Sequence, residues 1–160
     1  MISKRHILFN ITIIAIPWLS LFFLGRRSIK RYSIAGIFIV AFELLNHLYG
    51  HSKKWWKFYD KRNLFIKDEL PFSIGPYMPI SMWILKLSCG NFKKFAFLNA
   101  VFDGLFAFLF IDLLKKKKII SLNRLNHIQF FFYLHYKAYL LYGVQFLYEK
   151  MNKWRNVSCF

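Results

Sequence analysis

The sequence predicts an all-α membrane protein, a polytopic bundle of about five transmembrane helices. Of its 160 residues, 57% are hydrophobic, whereas soluble domains average about 45–50% apolar residues. The chain nevertheless carries 24 Lys and Arg against 7 Asp and Glu, a net charge of +17. The basic residues come in clusters separated by apolar stretches of membrane-spanning length. An aromatic content of 21% excludes a disordered chain, and two cysteines exclude a disulfide scaffold.

The first two predicted spans are 7–24 and 33–50. The first has no charged residue, and its 18 residues would rise ~27 Å, close to the ~30 Å of a hydrocarbon core. It is longer than the ~7–15 apolar residues of a signal peptide, so we predict an uncleaved anchor. A basic loop at 25–32 separates the two spans. The second is apolar apart from Glu43, Asn46 and His47.

The third predicted span, 71–87, is interrupted by Pro71, Gly75, Pro76 and Pro79. Proline removes backbone donors, so this segment is either a kinked full span or a re-entrant segment, which would leave four spans.

The fourth and fifth predicted spans are 95–114 and 127–148. The run 115–118 of four lysines ends the fourth span, and the aromatic fifth span contains Lys137. The connections are short, so we predict a single integral membrane domain over 1–160.

The basic loops predict contact with anionic lipid headgroups, worth about 1 kcal/mol per residue near the surface. The charge is spread over both ends of every span and no nucleic-acid motif is present, so nucleic acid is not an expected partner. The number of lysines and arginines summed over all loops places the N-terminus inside, whereas the charges that flank the first span favour the reverse. The orientation therefore stays open. Aromatic residues interleaved with lysines predict an interfacial belt of Trp55, Trp56, Phe58 and Tyr59.

Three charged residues fall near the middle of predicted spans, where each would cost about 2.5–3.5 kcal/mol if unpaired. Lys137 can pair with Asp103 or Glu43, and the remaining carboxyl group is either protonated or meets His47, one turn from Glu43. Asn99 stands one turn from Asp103. The sequence therefore predicts a polar cluster inside the membrane, formed by Glu43, His47, Asn99, Asp103 and Lys137.

Two functions fit this cluster. In the favoured interpretation it fixes helix packing in a non-enzymatic membrane component that packs with itself or with other membrane proteins. Small residues at four-residue spacing, Ala96, Ala100 and Gly104, support it because they let helices approach closely. In the alternative, the cluster serves a small transporter or proton-coupled channel.

An enzyme is not favoured by the sequence. His47 and His51 have the spacing of two metal ligands on one helix, but Gly50 and the following charges predict that the helix ends before His51. No nucleophile motif and no Gly-rich phosphate loop is present. We expect no catalytic residues, no metal and no cofactor.

The stretch from about 31 to 151 resembles an uncharacterised family of small multi-pass membrane proteins from spore-forming Gram-positive bacteria. The points of similarity are Trp56-Lys57-Phe58-Tyr59-Asp60, Pro76-Tyr77-Met78-Pro79, the Asp103-bearing fourth span and the aromatic fifth span. The resemblance implies a multi-pass protein of the bacterial cytoplasmic membrane, and it implies no activity.

Overall fold

The computed structural model describes residues 4–59 and 70–152. This part of the chain is mainly α-helical, as predicted, with one pair of short strands. The elements are α1 (Lys4–Ser20) with a 3₁₀ turn (Leu21–Phe23), α2 (Arg26–Ser52), β1 (Trp56–Phe58), α3 (Leu70–Ile74), α4 (Tyr77–Ser88), α5 (Phe92–Lys116), β2 (Ile120–Leu122) and α6 (His127–Met151).

The turn between α1 and α2 is shorter than predicted. Gly25 adopts φ +83°, a conformation that glycine reaches without strain, and α2 begins at the next residue. The prediction of a basic loop over 25–32 is therefore wrong. Arginine and lysine are good helix formers, so the basic cluster extends the helix rather than interrupting it.

The third predicted span is a broken helix. α3 and α4 are separated by Gly75 and Pro76, and Pro76 is the residue that precedes α4. A Cβ atom at Gly75 would lie 2.8 Å from the carbonyl oxygen of Ile13, so glycine is needed where this break meets α1. The indole nitrogen of Trp18 donates a hydrogen bond to the carbonyl oxygen of Ile74 at 3.0 Å and attaches the same break to α1.

Local signals define the ends of α5 and α6. The side chain of Asn91 accepts a hydrogen bond from the backbone nitrogen of Lys94 and caps α5. Asn126 and Gln129 form a capping box at the start of α6. Within α5, residues Leu105–Phe110 form a π-helical turn, directly after Gly104.

Four helices form a closed ring. α2 packs against α4 and α6, and α5 packs against the same two helices from the opposite side. α2 and α6 run antiparallel, because Arg31 near the start of α2 contacts Glu149 near the end of α6, and Glu43 contacts Lys137 further along both helices. α1 and α3 lie outside the ring, where α1 contacts both α3 and α4.

The strands close one end of the ring, which we call the strand end. β1 and β2 pair antiparallel, with Lys57 opposite Ser121, and connect the segment after α2 to the segment after α5. Trp56 packs on Gly50, where an added Cβ would lie 2.3 Å from the indole ring. The opposite end, where Arg31 meets Glu149, is the Arg31 end.

This packing corrects the predicted aromatic belt. Trp56 and Phe58 are only 8% and 6% exposed and belong to the apolar core at the strand end. Trp55 is half-buried and Tyr59 is exposed. The alternation of β1 explains the difference: a strand turns Trp56 and Phe58 to one side and Lys57 to the other.

The outer surface is strongly apolar. Large hydrophobic side chains are exposed along all the longer helices, and Phe22 and Phe23 are 80% and 82% exposed. By length and composition, α2 and α5 are able to cross a membrane. Only 28% and 22% of their most apolar windows are buried, whereas the core helix of a soluble protein would be mostly buried.

Candidate functional site

A cavity lies inside the ring, between the apolar cores of its two ends. Its volume is about 160 Å³, and α2, α4, α5, α6 and both strands contribute to its lining. Most of the lining is apolar. All five residues of the predicted polar cluster line it: Glu43, His47, Asn99, Asp103 and Lys137.

Lys137 and Glu43 form a buried ion pair on one side of the cavity. The Nζ atom of Lys137 donates to Oε2 of Glu43, and both side chains are almost completely buried. Of the two partners predicted for Lys137, the structure therefore has Glu43. The ammonium group also lies 3.8 Å from the centroid of the Tyr133 ring and 5.2 Å from that of Tyr77, distances typical of cation–π contacts.

A hydrogen-bonded chain extends from this pair toward α3. Nε2 of His47 lies 2.9 Å from Oε1 of Glu43, so both carboxylate oxygens of Glu43 are engaged. Nδ1 of the same histidine lies 2.9 Å from Oγ of Ser73, a fully buried residue of α3. The short helix α3 thereby supports the histidine that orients Glu43.

Asp103 lies on another wall of the cavity and has a different partner. Its Oδ2 atom lies 3.1 Å from Nδ1 of His135, and Nε2 of His135 lies 3.1 Å from the hydroxyl of Tyr139. Tyr139 is exposed on the outer surface, so these three side chains connect the cavity to the outside of the bundle. Asn99, one turn before Asp103, donates from Nδ2 to the carbonyl oxygen of Phe95.

His135 is the site residue that sequence reasoning missed. It lies two positions from Lys137, and residues two apart point to different sides of a helix. That rule is correct, because Lys137 points to α2 and His135 points to α5. It does not exclude His135 from the site, since α6 packs against both of those helices. The sequence did contain a signal for this contact, because His135 and Asp103 lie at similar depths in their predicted spans.

A second buried polar group lies at the Arg31 end and was not predicted. Nε of Arg31 contacts Oε1 of Glu149 at 2.7 Å, and Gln145 donates to the same oxygen at 2.8 Å. Gln145 also donates to the backbone oxygen of Arg31 at 3.2 Å. This group stabilises the contact between α2 and α6 and does not line the cavity.

The described residues contain no group of three or more His, Cys, Asp or Glu side chains placed to hold a metal ion. Nε2 of His47 contacts Glu43 and Nδ1 contacts Ser73. The prediction that the helix ends before His51 is wrong, because α2 continues to Ser52 and His51 is an exposed residue of its last turn. The arrangement as a whole is an apolar cavity with ionisable groups on three of its helices.

Comparison of the chain with protein-family models, with curated proteins and with solved structures finds no match.

Proposed function

We propose that the chain is a multi-pass integral membrane protein with five spans. These are α1 with its 3₁₀ turn, α2, the broken segment α3–α4, α5 and α6. The proposal is supported by the exposed apolar side chains around the outside of the ring and by the low burial of its most apolar helices. We further propose that it resides in the cytoplasmic membrane of a bacterium and contacts anionic headgroups through its basic ends.

Within this frame, we propose that the protein is a small transporter or channel that binds its solute in the central cavity. The observation that carries this proposal is the cavity of about 160 Å³ beside the ionisable cluster. Asp103 lines this space from a helix other than those of the Lys137–Glu43 pair, and its partner is His135.

The broken helix gives further support. α4 begins at Tyr77, beside Lys137, and runs to the Arg31 end, so its first turn lies at the depth of the cluster. Pro76 and Tyr77 both line the cavity. In secondary transporters, discontinuous helices of this kind surround the substrate site near the middle of the bilayer.

A second candidate is the non-enzymatic packing component, in which the cluster has a structural role only. The ion pair between Lys137 and Glu43 favours it, because both groups are buried and hydrogen-bonded, as polar residues between membrane helices often are. The two candidates differ in one physical property. A solute pathway must admit water or a small reagent to the cavity, and a packing cluster must exclude both.

Cysteine labelling separates the two candidates. Cys89 and Cys159 are replaced by serine, and single cysteines are then introduced on α4 at Ser81, which lines the cavity, or at Ser88, which is buried outside it. Both changes alter one atom. We expect a small membrane-impermeant thiol reagent to label Ser81→Cys and to leave Ser88→Cys unmodified.

The exposed residue Ser52 supplies the positive control. Ser52→Cys lies at the end of α2 and must label in either case when the purified protein is labelled in detergent, where the reagent reaches both faces. The serine-substituted parent must also retain the wild-type elution profile in detergent. If Ser52→Cys labels while Ser81→Cys and Ser88→Cys both remain unmodified, the cavity is closed to solutes and the packing candidate replaces the transporter.

A further inference from the structure

Two oxygen atoms of the cavity lining, on Asp103 and Asn99, remain available to a ligand as hydrogen-bond acceptors. Oδ2 of Asp103 contacts His135, whereas Oδ1 makes no hydrogen bond to the described residues. Asn99 uses Nδ2 as a donor to Phe95, and its Oδ1 atom likewise makes no hydrogen bond within the described part of the chain. Both residues lie on the same face of α5, one turn apart, and both line the cavity.

The charged donors, in contrast, are already engaged. The ammonium group of Lys137 is fully buried, pairs with Glu43 and faces two aromatic rings. Both nitrogens of His47 and both nitrogens of His135 are within hydrogen-bond distance of a protein atom. An anionic ligand would therefore have to break an existing pair to reach a charged donor, whereas a ligand with an N–H donor can use the oxygens of Asp103 and Asn99 directly.

The remaining lining sets the size and character of the ligand. The volume of about 160 Å³ is close to that of the ~150 Å³ engineered cavities that accept one benzene molecule. Phe102, Phe106, Phe130 and Ile84 provide apolar and aromatic walls. Aromatic faces attract cations, and an apolar wall stabilises a hydrocarbon ring.

We propose that the cavity binds a small organic cation, a primary ammonium group on an apolar body the size of a single ring. The ammonium group donates to Oδ1 of Asp103 and Oδ1 of Asn99, and the body packs against the aromatic walls. This inference rests on the proposed function and names the class of solute that the site accepts.

The test uses three probes of nearly equal size that differ in charge: benzylamine, benzyl alcohol and benzoate. Each is measured by equilibrium dialysis against the full chain in lipid nanodiscs, with empty nanodiscs subtracted for partition into lipid. We expect saturable binding of benzylamine, weaker binding of benzyl alcohol and no saturable binding of benzoate. Asp103→Asn removes the charge with almost no change in size, and should weaken benzylamine binding by at least about tenfold because the ammonium group exchanges a carboxylate partner for a neutral acceptor.

Asp112→Asn is the matched control, an identical substitution on the same helix at an exposed residue outside the cavity. It should bind benzylamine like the wild type. Preferential binding of benzoate, or equal binding of benzylamine by Asp103→Asn and wild type, overturns the cation assignment and leaves the transporter proposal intact. Binding of no probe also overturns the assignment, and the labelling of Ser81→Cys then decides the transporter proposal separately.

Discussion

Lys137 shows what a buried charge requires of its neighbours. Its side chain is completely enclosed, and a lone ammonium group in that position would be strongly destabilising. Glu43 neutralises it from the facing helix, and His47 occupies the second oxygen of Glu43. The charge is thus stabilised by an ordered chain of residues rather than by one contact.

The pairing predicts a specific pattern of rescue. Lys137→Met leaves Glu43 buried without its cation, so we expect a loss of stability of about 3–5 kcal/mol. Adding Glu43→Gln removes the unpaired charge and should restore most of that loss. The measurement is the thermal unfolding midpoint of the purified protein in detergent, followed by tryptophan fluorescence.

Asp103→Asn combined with Lys137→Met is the control for this experiment. Because the ion pair of Lys137 is with Glu43, the Asp103 change should give no rescue. Equal rescue by the two second-site changes would show that Lys137 is shared between the carboxyl groups.

At the scale of the helices and strands, glycines determine which surfaces can meet. Gly50 in α2 leaves room for the indole ring of Trp56, and this contact connects β1 to the ring of helices. Gly143 in α6 has a different environment, since an added Cβ there would meet nothing within 4 Å. Glycine-to-alanine substitutions at the two positions therefore distinguish the effect of close packing at Gly50 from the effect of helix propensity at Gly143.

We expect Gly50→Ala to destabilise the protein by about 1–3 kcal/mol, because the new methyl group overlaps a rigid buried ring. Gly143→Ala should stabilise it by about 0.5–1 kcal/mol, since alanine is the better helix former and the space is open. Thermal unfolding of both variants in the same detergent measures the difference. A destabilised Gly143→Ala together with an unchanged Gly50→Ala would contradict the packing described for these helices.

At the scale of the whole molecule, the sequence predicted the helical class and the approximate position of every long helix. The prediction failed at 25–32, where the cluster of basic residues was interpreted as a loop. Arg31 can lie within the bundle because it pairs with the buried carboxylate of Glu149. The members of the polar cluster were predicted from the depth of three charged residues and from the one-turn spacing that adds His47 and Asn99, and all five line the cavity. The division of the carboxyl groups between Lys137 and His135 could not be predicted, since it depends on which helices are neighbours in the ring.

The exposed apolar surface leads to a prediction about the molecule as a whole. A bundle with phenylalanines such as Phe22 and Phe23 largely exposed should not be stable in water alone. We expect the chain to remain in the membrane pellet after washing with high salt and with alkaline carbonate, and to be released only by detergent. Release by carbonate would contradict the five-span proposal and would assign the apolar surface to a protein partner.

The broken third segment has a consequence for how such a protein is made. α4 has 12 residues, about 18 Å of helix, and α3 has five, so neither reaches across a ~30 Å hydrocarbon core during synthesis. In the proposed five-span arrangement, we therefore expect this segment to be held by helices that have already been inserted. α1 is positioned to do this, because it contacts both α3 and α4 and its Trp18 bonds to the backbone at the break. We therefore expect α1 to assist the insertion of the third segment in addition to packing against it.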